Sequence, residues 1–168
     1  MNPKIFLTGQ PHCGKSTLLE AIINKIPQKQ GFLTKEIKEN GTRTGFEIIT
    51  ASGEKATLAS IQSTSPIRVS KYGVNISTFE TMLSPLFSFE KKDLLYIDEI
   101  GQMELYSDRF QDLVRSYLTA ANPFIGTLSA VYDHSLIRKI RQMDDVKVVE
   151  VTAENRNFLG GKIYRLLS

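Results

Sequence analysis

Gly9-Gln10-Pro11-His12-Cys13-Gly14-Lys15-Ser16 sets two glycines, a lysine and a hydroxyl at the spacing G-x-x-x-x-G-K-[ST]. The chemistry that needs those residue types in that order is the capture of a polyphosphate. Gly9 and Gly14 let the backbone curl until successive N–H groups point inward at phosphate oxygens. Lys15 brings a cation to the β- and γ-phosphates, and Ser16 offers its hydroxyl to Mg²⁺. A helix opening at Lys15 adds the positive end of its dipole. Average residue usage gives on the order of 0.006 such matches in a chain this long, so an incidental turn is the poorer explanation. Gln10, Pro11, His12 and Cys13 contribute through their backbone. Neither His12 nor Cys13 needs a chemical role, because a lone cysteine in such a loop is more often an inert small residue.

A second constellation completes what the loop lacks. Leu94-Leu95-Tyr96-Ile97-Asp98-Glu99 is an apolar run ending in two carboxylates. Asp98 is expected to hold Mg²⁺ through the metal's water shell, and Glu99 to orient and deprotonate the attacking water. Side chains alternate along a strand, so the expectation that both reach the nucleotide assumes that the chain leaves the sheet at this point. Hydrolysis rests chiefly on Glu99, since transfer to another acceptor needs the metal site but no dedicated water base.

The elements that must position these residues follow from periodicity. Ile5-Phe6-Leu7 reads as a short buried strand running into Gly9. From Lys15, the spacing of Leu18, Ile22 and Ile26, flanked by Leu19 and Ile23, predicts an amphipathic helix that Pro27 stops. Phe32 to Lys38, Thr44 to Thr50 and Lys55 to Ala59 read as strands separated by Asn40-Gly41 and Ala51-Ser52-Gly53-Glu54, an antiparallel meander over about 31–60. Ser77-Thr78-Phe79-Glu80 has capping-box spacing and should open a helix, with Pro85 splitting it. A helix capped near Ser107 buries Phe110, Leu113, Val114, Tyr117 and Leu118. Phe124 to Leu128 is a third apolar strand, Ser135 to Met143 a helix, and Val146 to Val151 a strand. Thr152 should cap a last helix that Gly160-Gly161 breaks. Short apolar strands alternating with helices predict an α/β fold of three layers, with a mostly parallel central sheet and the meander inserted in it. The 168 residues are expected to form one domain.

Composition excludes other classes. With 21 Lys+Arg against 18 Asp+Glu, the net charge is only +3 and the basic residues are interleaved with acidic ones, which disfavours nucleic acid as a partner. Cys13 is the only cysteine, so neither an intrachain disulfide nor a cysteine-based zinc site can form. No apolar run approaches the length of a membrane span. A cytoplasmic globular protein is expected, and no dimer seam is visible, so a monomer is the default.

The motifs together resemble the THEP-type nucleoside triphosphatases, also called cancer-related nucleoside triphosphatases. The similarity runs through Gly9 to Thr17, Gly31-Phe32-Leu33-Thr34-Lys35-Glu36-Ile37 and Arg43-Thr44-Gly45-Phe46-Glu47-Ile48. It continues through Lys71-Tyr72-Gly73-Val74-Asn75 and Ile97-Asp98-Glu99-Ile100-Gly101-Gln102-Met103-Glu104-Leu105 to Glu154-Asn155-Arg156. The resemblance implies a RecA-like P-loop fold, in which one strand separates those bearing the two motifs. It also implies Mg-dependent hydrolysis of the γ-phosphate of ATP, GTP, CTP and UTP with little base preference. Gly9 to Thr17, Asp98, Glu99, Asn155 and Arg156 would then contact the nucleotide. The family often has Lys where this chain has Gln102. Two other functions stay open at this point: a nucleotide or nucleoside kinase using the same loop, and a non-enzymatic nucleotide-dependent switch. The guanine-reading string Asn-Lys-x-Asp is absent from the sequence, which weighs against a GTPase switch.

Overall fold

In the computed structural model, which describes residues 2–168, the chain runs in order through fourteen main elements. They are β1 (Lys4–Thr8), α1 (Lys15–Ile23), β2 (Lys29–Glu39), β3 (Thr42–Thr50), β4 (Lys55–Ser60), β5 (Arg68–Val69), β6 (Tyr72–Val74) and α2 (Ile76–Leu83). There follow β7 (Leu94–Ile100), α3 (Asp108–Thr119), β8 (Phe124–Leu128), α4 (Ser135–Arg141), β9 (Val146–Glu150) and α5 (Arg156–Leu167). Among the described residues the strands form one nine-stranded sheet in the order β5-β6-β4-β3-β2-β7-β8-β1-β9. From β2 to β9 the pairings are parallel, and from β2 to β5 they are antiparallel.

Strand alternation sorts the core into two faces. Ile5 and Leu7 of β1 and Leu94 and Tyr96 of β7 pack with Leu18, Leu19, Ile22 and Ile23 of α1 and Leu159 and Ile163 of α5. Phe6, Leu95, Ile97 and Phe124 point the other way, onto Phe79 of α2, Phe110, Leu113 and Tyr117 of α3, and Ile137 of α4. Helices therefore cover both faces, as strands buried on two sides require. The three-layer α/β architecture expected from the sequence is present. So is the single strand, β8, between the strands that lead to the two motifs.

Several local expectations are corrected. The antiparallel stretch extends to Val74 rather than ending near residue 60, and its first strand pairs in parallel with β7. The expected inserted meander is present, and it continues the one sheet. The Ser77 capping box does not form. The helix opens at Ile76 after Asn75, without a side-chain cap, and the Glu80 carboxylate instead accepts the Ser107 hydroxyl at 2.8 Å. Ser107 itself caps α3 as expected, accepting the Phe110 N–H at 3.0 Å. At Pro85 the chain changes from α-helix to a 3-10 turn, Ser84–Phe87. Thr152 accepts the Asn155 N–H at 3.2 Å in a turn that precedes α5, whose cap residue is Asn155.

Gly160 and Gly161 do not break α5, which runs through both. A Cβ on Gly160 would stand 3.2 Å from Leu18 Cδ1, so the small residue lets α5 lie close on α1. Packing of the Leu159, Ile163 and Leu167 stripe outweighs the poor helix propensity of two glycines.

Candidate nucleotide site

The phosphate loop lies at the carboxyl end of β1 and feeds directly into α1, and the acidic pair lies at the carboxyl end of β7. These are the positions where open α/β sheets form their ligand crevice. The loop backbone turns sharply: Gly14 and His12 have φ of 96° and 65°, and the Cys13 N–H bonds the Gln10 carbonyl at 3.1 Å. Lys15 Nζ donates to the Gly9 carbonyl at 3.2 Å and stands 3.6 Å from Glu99 Oε2. Ser16 Oγ donates to Asp98 Oδ1 at 3.0 Å. Residues 82 positions apart in sequence thus meet at one point.

Strand β7 does not end at Asp98. It continues to Ile100, and its register with β8 slips between Ile97 and Ile100. That irregularity, rather than departure from the sheet, brings both consecutive carboxylates to the cleft. Asp98 is 1% exposed, and its Oδ1 accepts the Thr127 hydroxyl at 2.6 Å as well as that of Ser16. Burial pushes the Asp98 carboxyl up to about 6, helped by the Glu99 charge and opposed by the hydrogen bonds from Thr127, Ser16 and Thr34. The Thr34 hydroxyl donates to the Asp98 backbone carbonyl, tying β2 to the end of β7.

Glu104 is a third carboxyl in the same wall and is 5% exposed. Burial and the Glu99 charge hold it well above the usual carboxylate range. Gly101 lies between the two glutamates. A Cβ there would stand 2.9 Å from Glu99 Oε1 and 3.4 Å from Glu104 Oε2.

The cleft that joins these groups has a volume of about 840 Å³. Gly9, Pro11, His12, Gly14, Lys15, Ser16, Thr17, Asp98, Glu99 and Gln102 line it, as do residues 129–132 after β8 and, beyond Thr34, parts of β2 and β3. Gln10, Cys13, Asn155 and Arg156 are not in its lining. Arg156 lies against the loop, with Cδ and Nη1 each 3.5 Å from where a Gly14 Cβ would be. The Asn155 amide is used within its own turn, accepting the Thr152 N–H and donating to the Glu150 carbonyl, both at 2.8 Å. This turn uses one of the amide's two N–H groups and one lone pair of its oxygen. Thr34, Thr127 and Glu104 were given no role on sequence grounds. Thr34 and Glu104 stand inside the strings that carry the family resemblance, whereas Thr127 has only its place near the end of a buried strand.

The donor set can be tested against a divalent ion. A hydroxyl and a carboxylate 3.0 Å apart are hard oxygen ligands of the kind Mg²⁺ takes. No group of three or more His, Cys, Asp and Glu able to hold a metal occurs among the described residues. An ion here would complete its shell with waters and substrate phosphates, as Mg²⁺ commonly does. The residues present fit it. The arrangement can therefore seat a polyphosphate with its cation and set a carboxylate beside it. Among the described residues no helix is long and apolar enough to cross a membrane.

Comparison with known proteins gives the same answer as this geometry. The family described as "NTPase" matches residues 4–164. The chain is 38% identical over 166 residues to "Nucleoside-triphosphatase THEP1" of Thermotoga sp. strain RQ2, covering 98% of this chain and 95% of that protein. It is 35% identical over 173 residues to the human "Cancer-related nucleoside-triphosphatase", covering 92% and 91%. Its fold superposes on the crystal structure of THEP1 from the hyperthermophile Aquifex aeolicus with a TM-score of 0.89 at 35% identity, over 98% of this chain and 99% of that one. The chain belongs to the THEP1 and cancer-related nucleoside-triphosphatase family.

Proposed function

We propose that the chain is a Mg-dependent nucleoside triphosphatase of one P-loop domain, converting NTP and water to NDP and phosphate with little preference among ATP, GTP, CTP and UTP. The observation that carries this reading is the meeting of Ser16 with Asp98 at 3.0 Å beside Lys15 and Glu99 at 3.6 Å. The inward N–H groups of the loop from Gly9 to Thr17 bind the phosphates, and Lys15 leaves Glu99 to neutralise the β- and γ-phosphates. Ser16 and Asp98 would hold Mg²⁺, which when bound draws charge from the β- and γ-oxygens. Glu99 orients a water toward the γ-phosphorus and takes its proton as the bond to the bridging oxygen breaks. Arg156, which lies against Gly14, would stack on the nucleoside without regard to base identity.

A cytoplasmic setting suits a lone thiol and a substrate found there. A monomer suits large exposed apolar side chains spread over different elements, such as Ile61, Tyr106, Val131 and Phe158.

The test is calorimetry with magnesium and each triphosphate, followed by phosphate release with and without candidate acceptors. Lys15→Ala should lose triphosphate binding; near-normal turnover in that variant would sink the loop assignment. A second reading, transfer to an acceptor other than water, is favoured by one observation. The cleft continues past Glu99 along β2 and β3.

A further inference from the structure

An attacking water occupies about 30 Å³, and the 840 Å³ cleft, which also has to seat the triphosphate, runs on past Glu99 to Phe46, Leu58 and Val69. The unused part has a direction. Asp98 and Glu99 stand on β7, between the loop-bearing strand and β2, whereas Arg156 lies against the loop from the α5 side. With a triphosphate bound as proposed above, on which this inference rests, the γ-end faces β2 and the nucleoside leaves toward α5. Whatever occupies the cleft along β2 and β3 is therefore beyond the γ-phosphate.

That part of the cleft is not built for water. Phe46, Leu58, Val69 and Met103 give it apolar walls. Arg43 lines the same part, its side chain 40% exposed and held by two hydrogen bonds. Its Nε donates to the Tyr72 hydroxyl at 2.9 Å and its Nη1 to Glu36 at 3.1 Å, while the guanidinium lies 5.1 Å from the Phe46 ring centroid. Two of its five N–H donors are used in this way. Lys35 and Lys38 also line the cleft, but as point charges paired with Glu20 at 2.7 Å and Glu36 at 3.7 Å. Only the arginine offers a planar fork suited to a carboxylate or phosphate.

Distance decides which anion the fork can serve. Arg43 pairs across the hairpin with Lys38, four residues beyond Thr34, whose hydroxyl touches the Asp98 carbonyl. At about 3.3 Å per residue the Arg43 backbone is about 13 Å along β2 from Asp98, but its side chain reaches back to Glu36 and Phe46, about 7 Å along the strand from Thr34. That span is about the length of one small organic molecule lying between the Asp98 level and the guanidinium.

We propose that this chamber binds a second small molecule, an organic anion. Its carboxylate or phosphate docks on Arg43, its apolar or aromatic body lies on Phe46, Leu58, Val69 and Met103, and its hydroxyl faces the γ-phosphate. In place of water, that hydroxyl oxygen attacks the γ-phosphorus and the bond to the β-bridging oxygen breaks. Glu99 takes the hydroxyl proton, and the products are a nucleoside diphosphate and a phosphate ester.

The experiment loads the protein with magnesium and β,γ-imido-ATP, then titrates 4-(hydroxymethyl)benzoate and 4-(hydroxymethyl)phenyl phosphate by calorimetry. Benzyl alcohol and inorganic phosphate serve as probes carrying only one of the two features. At least one aromatic anion should bind one-to-one and more than about fivefold tighter than both single-feature probes, and the stronger one identifies the anionic group. Arg43→Ala, Arg43→Lys and Phe46→Ala should each weaken that binding by about fivefold or more. Their affinity for the imido analogue reports that the variants remain folded. Equal affinity for all four probes, or undiminished binding in both Arg43 variants, overturns the chamber. Failure of the wild-type protein to take up the imido analogue overturns the phosphate-loop reading instead, and the chamber with it; the first titration separates the two failures.

Discussion

In the proposed mechanism, Glu99 is the residue at which hydrolysis and mere binding part company. Its carboxylate stands beside Lys15 and about a third exposed, with Gly101 leaving room for it on the protein side. Replacing it by glutamine keeps the shape and removes the base. Glu99→Gln should therefore bind the Mg–triphosphate complex about as well as wild type, yet release phosphate about 10²–10⁴-fold more slowly. Calorimetry and a phosphate-release assay on one preparation check both halves, and a slowing under about threefold would remove Glu99 from the mechanism. The meeting of Lys15, Ser16, Asp98 and Glu99 at one place was legible because their types and spacing point to a shared chemistry. Glu104 was not, since a glutamate five positions past the pair carries no spacing rule. Its significance comes from burial against Glu99, which only the folded chain supplies.

At the scale of elements, β2 is the member on which the site's far wall depends, and Gly31 is its tightest point. Gly31 sits opposite Tyr96 of β7, and a Cβ there would stand 1.9 Å from the Tyr96 carbonyl oxygen. Backbone cannot yield as a side-chain tip can. Gly31→Ala should force β2 away from β7 and lose more than about 3 kcal/mol of stability, seen as a lowered urea midpoint or insoluble protein. The opposite outcome is expected in α5. A Cβ on Gly161 would meet nothing closer than the Arg165 guanidinium at 3.6 Å. Gly161→Ala should raise stability by about 0.5–1 kcal/mol on thermal unfolding and leave turnover unchanged. This asymmetry also explains what the sequence could and could not tell about the elements. Helices with a wide apolar face, such as α3 with Phe110, Leu113, Val114, Tyr117 and Leu118, announce themselves, and so does the Asn40-Gly41 hairpin. The passage of α5 through two glycines does not, because its cause is contact with α1, far away in sequence. The parallel pairing of β2 with β7 is hidden for the same reason.

For the whole molecule, the site is a place where stability is given up for chemistry. Asp98 is buried in the middle of the sheet's upper edge, with its carboxyl held up at about 6. An unfolded aspartate titrates near about 3.9, so the folded metal-free protein holds the proton more tightly than the unfolded chain does. Stability contributed by this group is consequently complete below about pH 4. It declines as pH rises toward 6 and stays low above that. The difference of about two units corresponds to about 3 kcal/mol, against which loss of a well-placed acceptor costs about 1 kcal/mol. Asp98→Asn, without nucleotide or metal, should be more stable than wild type by about 1–2 kcal/mol at pH 8 and no more stable at about pH 4. The same variant should lose the rise in melting temperature that magnesium with a triphosphate gives the wild type, because a bound ligand stabilises only a state that binds it. Unfolding measured at the two pH values, with and without Mg–ATP, tests both arms. A variant less stable at pH 8 would mean that the Ser16 and Thr127 hydrogen bonds outweigh the burial of the charge. A variant still stabilised by Mg–ATP to the wild-type extent would mean that the ion is held elsewhere.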